Sequence, residues 1–69
     1  MQISINDSTH IYTADQDYDG PDGTLLKGEQ FRVLDFYEDY NLALVSMVNS
    51  PDIEIITIRV DEQFNVISD

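Results

Sequence analysis

The sequence predicts an all-β domain: a small five- to six-stranded, strongly bent antiparallel barrel. Three observations carry this. Apolar residues fall in short runs rich in Ile, Val, Phe and Tyr, each bounded by Asn, Asp, Gly, Ser or Pro. No segment sustains a helical period with caps at its ends. The chain has 69 residues, enough for one domain over 1–69, whose core is thin because so small a fold buries only about 60 % of the surface its unfolded chain exposes.

The elements follow in order. Gln2–Ile5 is expected as a strand, an additional edge within residues 1–9, and "NDST" turns the chain into a second strand, His10–Ala14. "DQDYDGPDG", Asp15 to Gly23, reads as a long loop, since Asp, Gly and Pro are what turns ask for. Gln30–Tyr37 is the longest strand, "EDYN" the turn after it, and Leu42–Val48 the next strand. "NSPD" joins that strand to Ile53–Val60, and Asn65–Ile67 closes the chain. Pro21 and Pro51 both fall in turns, where a missing N–H breaks no ladder bond.

Strand faces follow from the period of two. Ala43, Val45 and Met47 share one face of their strand, and Ile56, Ile58 and Val60 share one face of theirs. The opposite faces, with Leu42, Leu44, Ile53 and Ile55, are also partly apolar. A half-buried hairpin alternates more cleanly than this. The second face is therefore either covered by the N-terminal strand or the acidic loop, or is a patch at which the chain assembles with a second copy or a partner.

Charge excludes more than it assigns. Fourteen Asp and Glu face Lys27, Arg32 and Arg59, a formal charge of −11. Direct nucleic-acid binding is disfavoured, because that affinity comes largely from Lys and Arg displacing counterions. Anionic membrane surfaces are disfavoured for the same reason. A basic protein surface is the partner this balance favours, with encounter speeded by the field of the clustered carboxylates. Cysteine is absent, so neither disulfides nor thiolate metal sites are available. The first ten residues, "MQISINDSTH", have no basic region followed by an apolar run, and the expected location is the cytoplasm, that of the host if the protein is viral.

"DQDYDG" places Asp15, Asp17 and Asp19 at alternate positions before Gly20, as an EF-hand loop does. A calcium site there is the alternative to a partner site, and a weak one. The closing bidentate position holds Leu26, and neither flank reads as a helix. No other cofactor is expected.

Five stretches are similar to the Src homology 3 family over residues 10–69. "HIYTA" lies at the family's first aromatic strand and keeps Tyr12, with Ala14 at its second tyrosine. Asp15–Gly23 matches the long acidic loop, "LLKGEQFRVL" the diverging turn and its strand, and "EDYNLALV" the acidic loop leading to the tryptophan position and inward alanine. Here Tyr40 stands for that tryptophan and Ala43 for that alanine. In "VDEQFNV", Asp61 stands at the family's proline and Phe64 at its tyrosine. The resemblance implies a bent barrel with a shallow groove of Tyr12, Tyr40 and Phe64. It also implies that loop acids pair with an Arg or Lys of a bound chain. The chain has no Trp, so the fixed indole donor of polyproline recognition is missing.

The expected function is non-catalytic: an acidic interaction module for a basic protein surface. Its anchors are Asp15, Asp17, Asp19 and Asp22, joined by Glu38 and Asp39, with Tyr18 and Tyr40 as contact aromatics. Spread carboxylates on a compact body also imitate a phosphate backbone. In size and charge the chain resembles small acidic phage inhibitors that occupy the basic groove of nucleic-acid-handling enzymes. Catalysis is not expected. His10 is the only histidine, no Ser–His–Asp set is suggested, and the chain is too short for a sugar cleft flanked by a carboxylate pair.

Overall fold

The computed structural model describes residues 1–4 and 9–68. Seven strands follow in order: β1 (Tyr12–Thr13), β2 (Tyr18–Asp19), β3 (Thr24–Leu25), β4 (Gln30–Tyr37), β5 (Leu42–Met47), β6 (Ile55–Val60) and β7 (Val66–Ile67). One 3-10 turn, Glu38–Tyr40, links β4 to β5. Five strands form an antiparallel sheet in the order β1-β4-β5-β6-β7, and β2 and β3 form a separate hairpin. The sheet curls into a half-barrel, an architecture compatible with a Src homology 3-like fold.

The curl begins in β4. Its register against β5 shifts between Val33 and Asp35, leaving Leu34 as an extra residue. Such a bulge bends a strand and raises its twist. It also resets the phase: Phe31, Val33 and Phe36 stand opposite Met47, Val45 and Ala43. Phe36 therefore returns to the concave side, although its spacing from Val33 is three. Phe31, Val33, Ala43, Val45, Ile58 and Val60 are buried there, with Tyr18 and Leu25 from the β2–β3 hairpin.

The N-terminal residues extend the sheet past β7. Val66 N–H donates to the Met1 carbonyl (2.7 Å) and Ile3 N–H to the Phe64 carbonyl (3.0 Å), with Gln2 bridging Asn65. Ile3 is buried in the core. Ser4 N–H donates to the Tyr12 hydroxyl (2.9 Å), which draws this edge toward β1 at the other. Ile5, the expected end of the first strand, lies outside the described residues. β4 has the bounds its alternation predicts. The β6 strand begins two residues late, and Ile53 is 90 % exposed.

One expectation is corrected. Asp15–Gly23 is not a continuous loop, because Tyr18 and Leu25 pair across β2 and β3 and both are buried. The turn Gly20–Gly23 closes with Gly20 N–H on the Gly23 carbonyl (2.8 Å). Lys27-Gly28 then turns the chain into β4, with Gly28 at φ 89°, a conformation that glycine adopts at little cost.

Candidate functional site

Two acidic regions stand apart in chemistry. In the β2–β3 hairpin and its flanks, every aspartate accepts a hydrogen bond from within the chain. Asp15 accepts a hydrogen bond from the Tyr18 hydroxyl. Asp17 accepts the Lys27 N–H (2.8 Å), Asp19 the Thr24 hydroxyl (3.2 Å), and Asp22 the Thr57 N–H (2.9 Å). The last bond has a clear topological reason. Met47 N–H donates to Glu54 and Val60 N–H to Asn41, so Glu54, Ile56, Ile58 and Val60 face β5 and Thr57 faces away from it. Among the described residues, β7 pairs along that edge with Arg59 and Val60, and Asp22 supplies the acceptor for Thr57 N–H. Asp19 N–H donates to the Ser68 hydroxyl (2.8 Å), holding the hairpin against the same edge. An open sheet edge is a template for unwanted pairing, and the acidic hairpin covers this one.

Tyr18 is a correction. Expected as an exposed contact aromatic, it is 1 % exposed and belongs to the core. Burial, and then the Asp15 carboxylate, push its phenol up to about 12. The Tyr18 hydroxyl in turn holds the Asp15 carboxyl below its ordinary value. The Met1 amino group lies 3.2 Å from the same hydroxyl.

The three aspartates of the calcium alternative do not share one point in this structure. Among the described residues no three Asp, Glu or His side chains converge in a way that could hold a metal ion. Asp15, Asp17 and Asp19 are turned instead to three different donors.

The second region is a groove at the end of the sheet where β4 passes into β5 and β6 into β7. Its walls include Phe36, Tyr37, Leu42, Val60 and Phe64, its rim Glu38, Asp61 and Glu62, and its volume is about 260 Å³. A shallower hollow of about 370 Å³ adjoins it, sharing Phe36, Tyr37 and Glu38 and adding Asp39 and Tyr40. Tyr40 is 73 % exposed. Of the expected site residues, the structure brings Glu38, Asp39 and Tyr40 together here. Tyr12, expected in the same groove, stacks on Phe31 instead (ring centroids 5.6 Å apart). Phe36 was not singled out by sequence reasoning, although it stands in the aromatic and acidic run "FYEDY".

The groove is shaped by two left-handed residues, Asn41 at φ 54° and Phe64 at φ 62°. Asn enters this region readily, but for a bulky side chain it is an outlier. Asp61 holds Phe64 there. Its carboxylate accepts the N–H groups of Gln63 (2.8 Å) and Asn65 (2.9 Å), and its carbonyl accepts Phe64 N–H (3.0 Å). The bond from Asn65 N–H, above all, lowers the Asp61 carboxyl below its usual range. The result lays the Phe64 ring on Phe36 (4.6 Å between centroids). Glu38, Asp39 and Glu62 differ from every hairpin aspartate: among the described residues their carboxylates accept no hydrogen bond and join no ion pair.

No family model, curated protein or solved structure matches this chain. No helix among the described residues is long and apolar enough to cross a membrane.

Proposed function

We propose that this chain is a non-catalytic acidic interaction module, a divergent Src homology 3-like barrel, that receives a basic protein surface in the Phe36–Phe64 groove. The observation that carries this reading is the division of the carboxylates. Those of the hairpin are engaged inside the fold, whereas Glu38, Asp39 and Glu62 find no partner among the described residues and stand beside an aromatic wall. An arginine or lysine presented there meets charge at the rim and ring faces below, a combination that favours cations. A net charge of −11 draws such a partner from a distance. Basic clefts of nucleic-acid-handling enzymes are one class of surface with the required chemistry, and occupying one would inhibit that enzyme.

The test is an NMR titration with an unstructured arginine-rich peptide at low and high salt. Amide shifts should concentrate at Phe36–Leu42 and Asp61–Phe64 and shrink as salt rises. A triple variant, Glu38→Gln, Asp39→Asn and Glu62→Gln, should weaken binding by about tenfold or more, at roughly 0.5–1 kcal/mol for each exposed pair. Shifts centred on the β2–β3 hairpin, or unchanged affinity in the triple variant, would remove the groove as the site.

A further inference from the structure

We propose that Asp22–Gly23 is a self-modification site of the folded chain, at which the aspartate rearranges to an isoaspartyl linkage. Asp is followed by Gly twice, at Asp19–Gly20 and at Asp22–Gly23. A glycine leaves its amide nitrogen open to the preceding carboxyl, because no Cβ shields it. Both pairs lie at the turn of the β2–β3 hairpin, and both aspartates are exposed. Their local sequence makes the two pairs alike, and the fold sets them apart.

Ring closure needs a free nitrogen. Gly20 N–H donates to the Gly23 carbonyl (2.8 Å), so its nitrogen cannot turn on the Asp19 carboxyl without opening the end of the hairpin. Gly23 N–H donates to no acceptor among the described residues. The reaction also gains from a donor at the carboxyl oxygen, where negative charge develops. Thr57 N–H lies 2.9 Å from Asp22 Oδ1, within the range of about 2.7–3.1 Å at which a fixed donor stabilises an oxyanion. The Asp19 carboxylate meets the Thr24 hydroxyl at the longer distance of 3.2 Å. Nucleophile and donor therefore coincide at Asp22.

The Gly23 nitrogen attacks Cγ of the protonated Asp22 carboxyl. The new N–Cγ bond closes a succinimide ring, and the carboxyl hydroxyl leaves as water with the amide proton. Water then adds to the ring carbonyl that belonged to the main chain and breaks its bond to nitrogen. The main chain now runs through Cβ and Cγ, and the former main-chain carbonyl is a carboxylate on Cα. One water leaves and one enters, so the product has the mass and charge of the original. Thr57 N–H loses its carboxylate acceptor, and the turn between Gly20 and Gly23 is one atom longer. The cover over the β6 edge is loosened with it.

The full chain is aged at mildly acid pH, where part of the carboxyl is protonated, folded in one sample and in concentrated urea in the other. Electron-transfer fragmentation of the digested protein distinguishes the two linkages at each site. In the folded sample Asp22 should convert about tenfold faster than Asp19, the ratio that one hydrogen bond supplies. In urea the two should convert at comparable rates. Equal conversion of Asp19 and Asp22 in the folded chain overturns the proposal. So does a folded chain that converts at neither site while the urea sample converts at both. Thr57 N–H should exchange faster in the aged folded sample, and unchanged exchange would refute the unfastening. Asp22→Asn closes the same ring by loss of ammonia, and when folded it should deamidate about tenfold faster than Asp19→Asn; the reverse order also overturns the proposal. Should either variant fail to fold, the wild-type comparison still decides.

Discussion

Replacing Tyr18 with Phe tests whether the acidic hairpin is part of the core. The ring stays, and so does its packing against Leu25; only the hydroxyl bonded to Asp15 is lost. A hydrogen bond to a charged acceptor contributes a net 1.5–3 kcal/mol, and about 1–2 kcal/mol is expected here because Asp15 can turn to water when its donor is gone. In a domain of 69 residues each kcal/mol moves Tm by about 4–8 °C. The sharper readout is alkaline pH. Tyr18 titrates from an ordinary 10.0 in the unfolded chain and from about 12 in the folded one. Its folded value is raised, so its contribution is complete below pH 10 and is lost as pH climbs toward 12. Two units of separation correspond to an upper figure of about 2.7 kcal/mol. Urea unfolding of both proteins, repeated from pH 7 to pH 11, isolates the effect, since every other titrating group is common to the two. The advantage of the wild type over Tyr18→Phe should hold to about pH 10 and then shrink. A difference that stays constant across the alkaline limb would refute the buried, bonded phenol.

Three further outcomes follow from the same contacts. Asp22→Ala removes the acceptor of Thr57 N–H and should cost about 1 kcal/mol, with hydrogen exchange speeding at Thr57 ahead of its β5-facing neighbours. Gly20→Ala sets a Cβ 2.5 Å from the Thr57 carbonyl oxygen and 3.0 Å from that of Gly23. Both are backbone atoms, so the hairpin must lift from β6 at a cost of about 1–3 kcal/mol, read by urea unfolding. The carboxyls of Asp15 and Asp61 are held below their ordinary value of 3.8, so their contribution is present above that pH and is lost as pH falls through their folded values. Asp61→Asn should flatten the acid limb of the stability curve, and an unchanged limb would count against the Asp61 turn.

Much of the sheet was legible because alternation is a local signal. "QFRVLDFY" states its own strand, and the small apolar residues of β5 and β6 state their inward faces. The β2–β3 hairpin was not legible, since two-residue strands carry no period. Its aspartates misled for a related reason. Their meaning depends on donors remote in sequence: Asp22 and Thr57 are 35 positions apart, and Asp17 and Lys27 are 10 apart. Phe36 was hidden by the bulge at Leu34, because a strict period of two would send it outward. The groove was half legible: the turn residues Glu38, Asp39 and Tyr40 were marked by composition, but the wall opposite is supplied by a turn more than twenty residues away in sequence.

The engaged and unengaged carboxylates bear on how any charge experiment is designed. Neutralising Asp15, Asp17, Asp19 and Asp22 together would remove four acids, and it would also weaken contacts to a core tyrosine, two backbone amides and a hydroxyl. Lost binding in such a variant would report on folding as much as on charge. The rim acids carry no such burden, because among the described residues no donor binds the carboxylate of Glu38, Asp39 or Glu62. Asp61 belongs with the hairpin in this respect, since it fixes the backbone that aims Phe64. A binding surface and a structural fastening can thus share one residue type and one region of charge. What separates them is whether a donor within the fold already occupies the carboxylate.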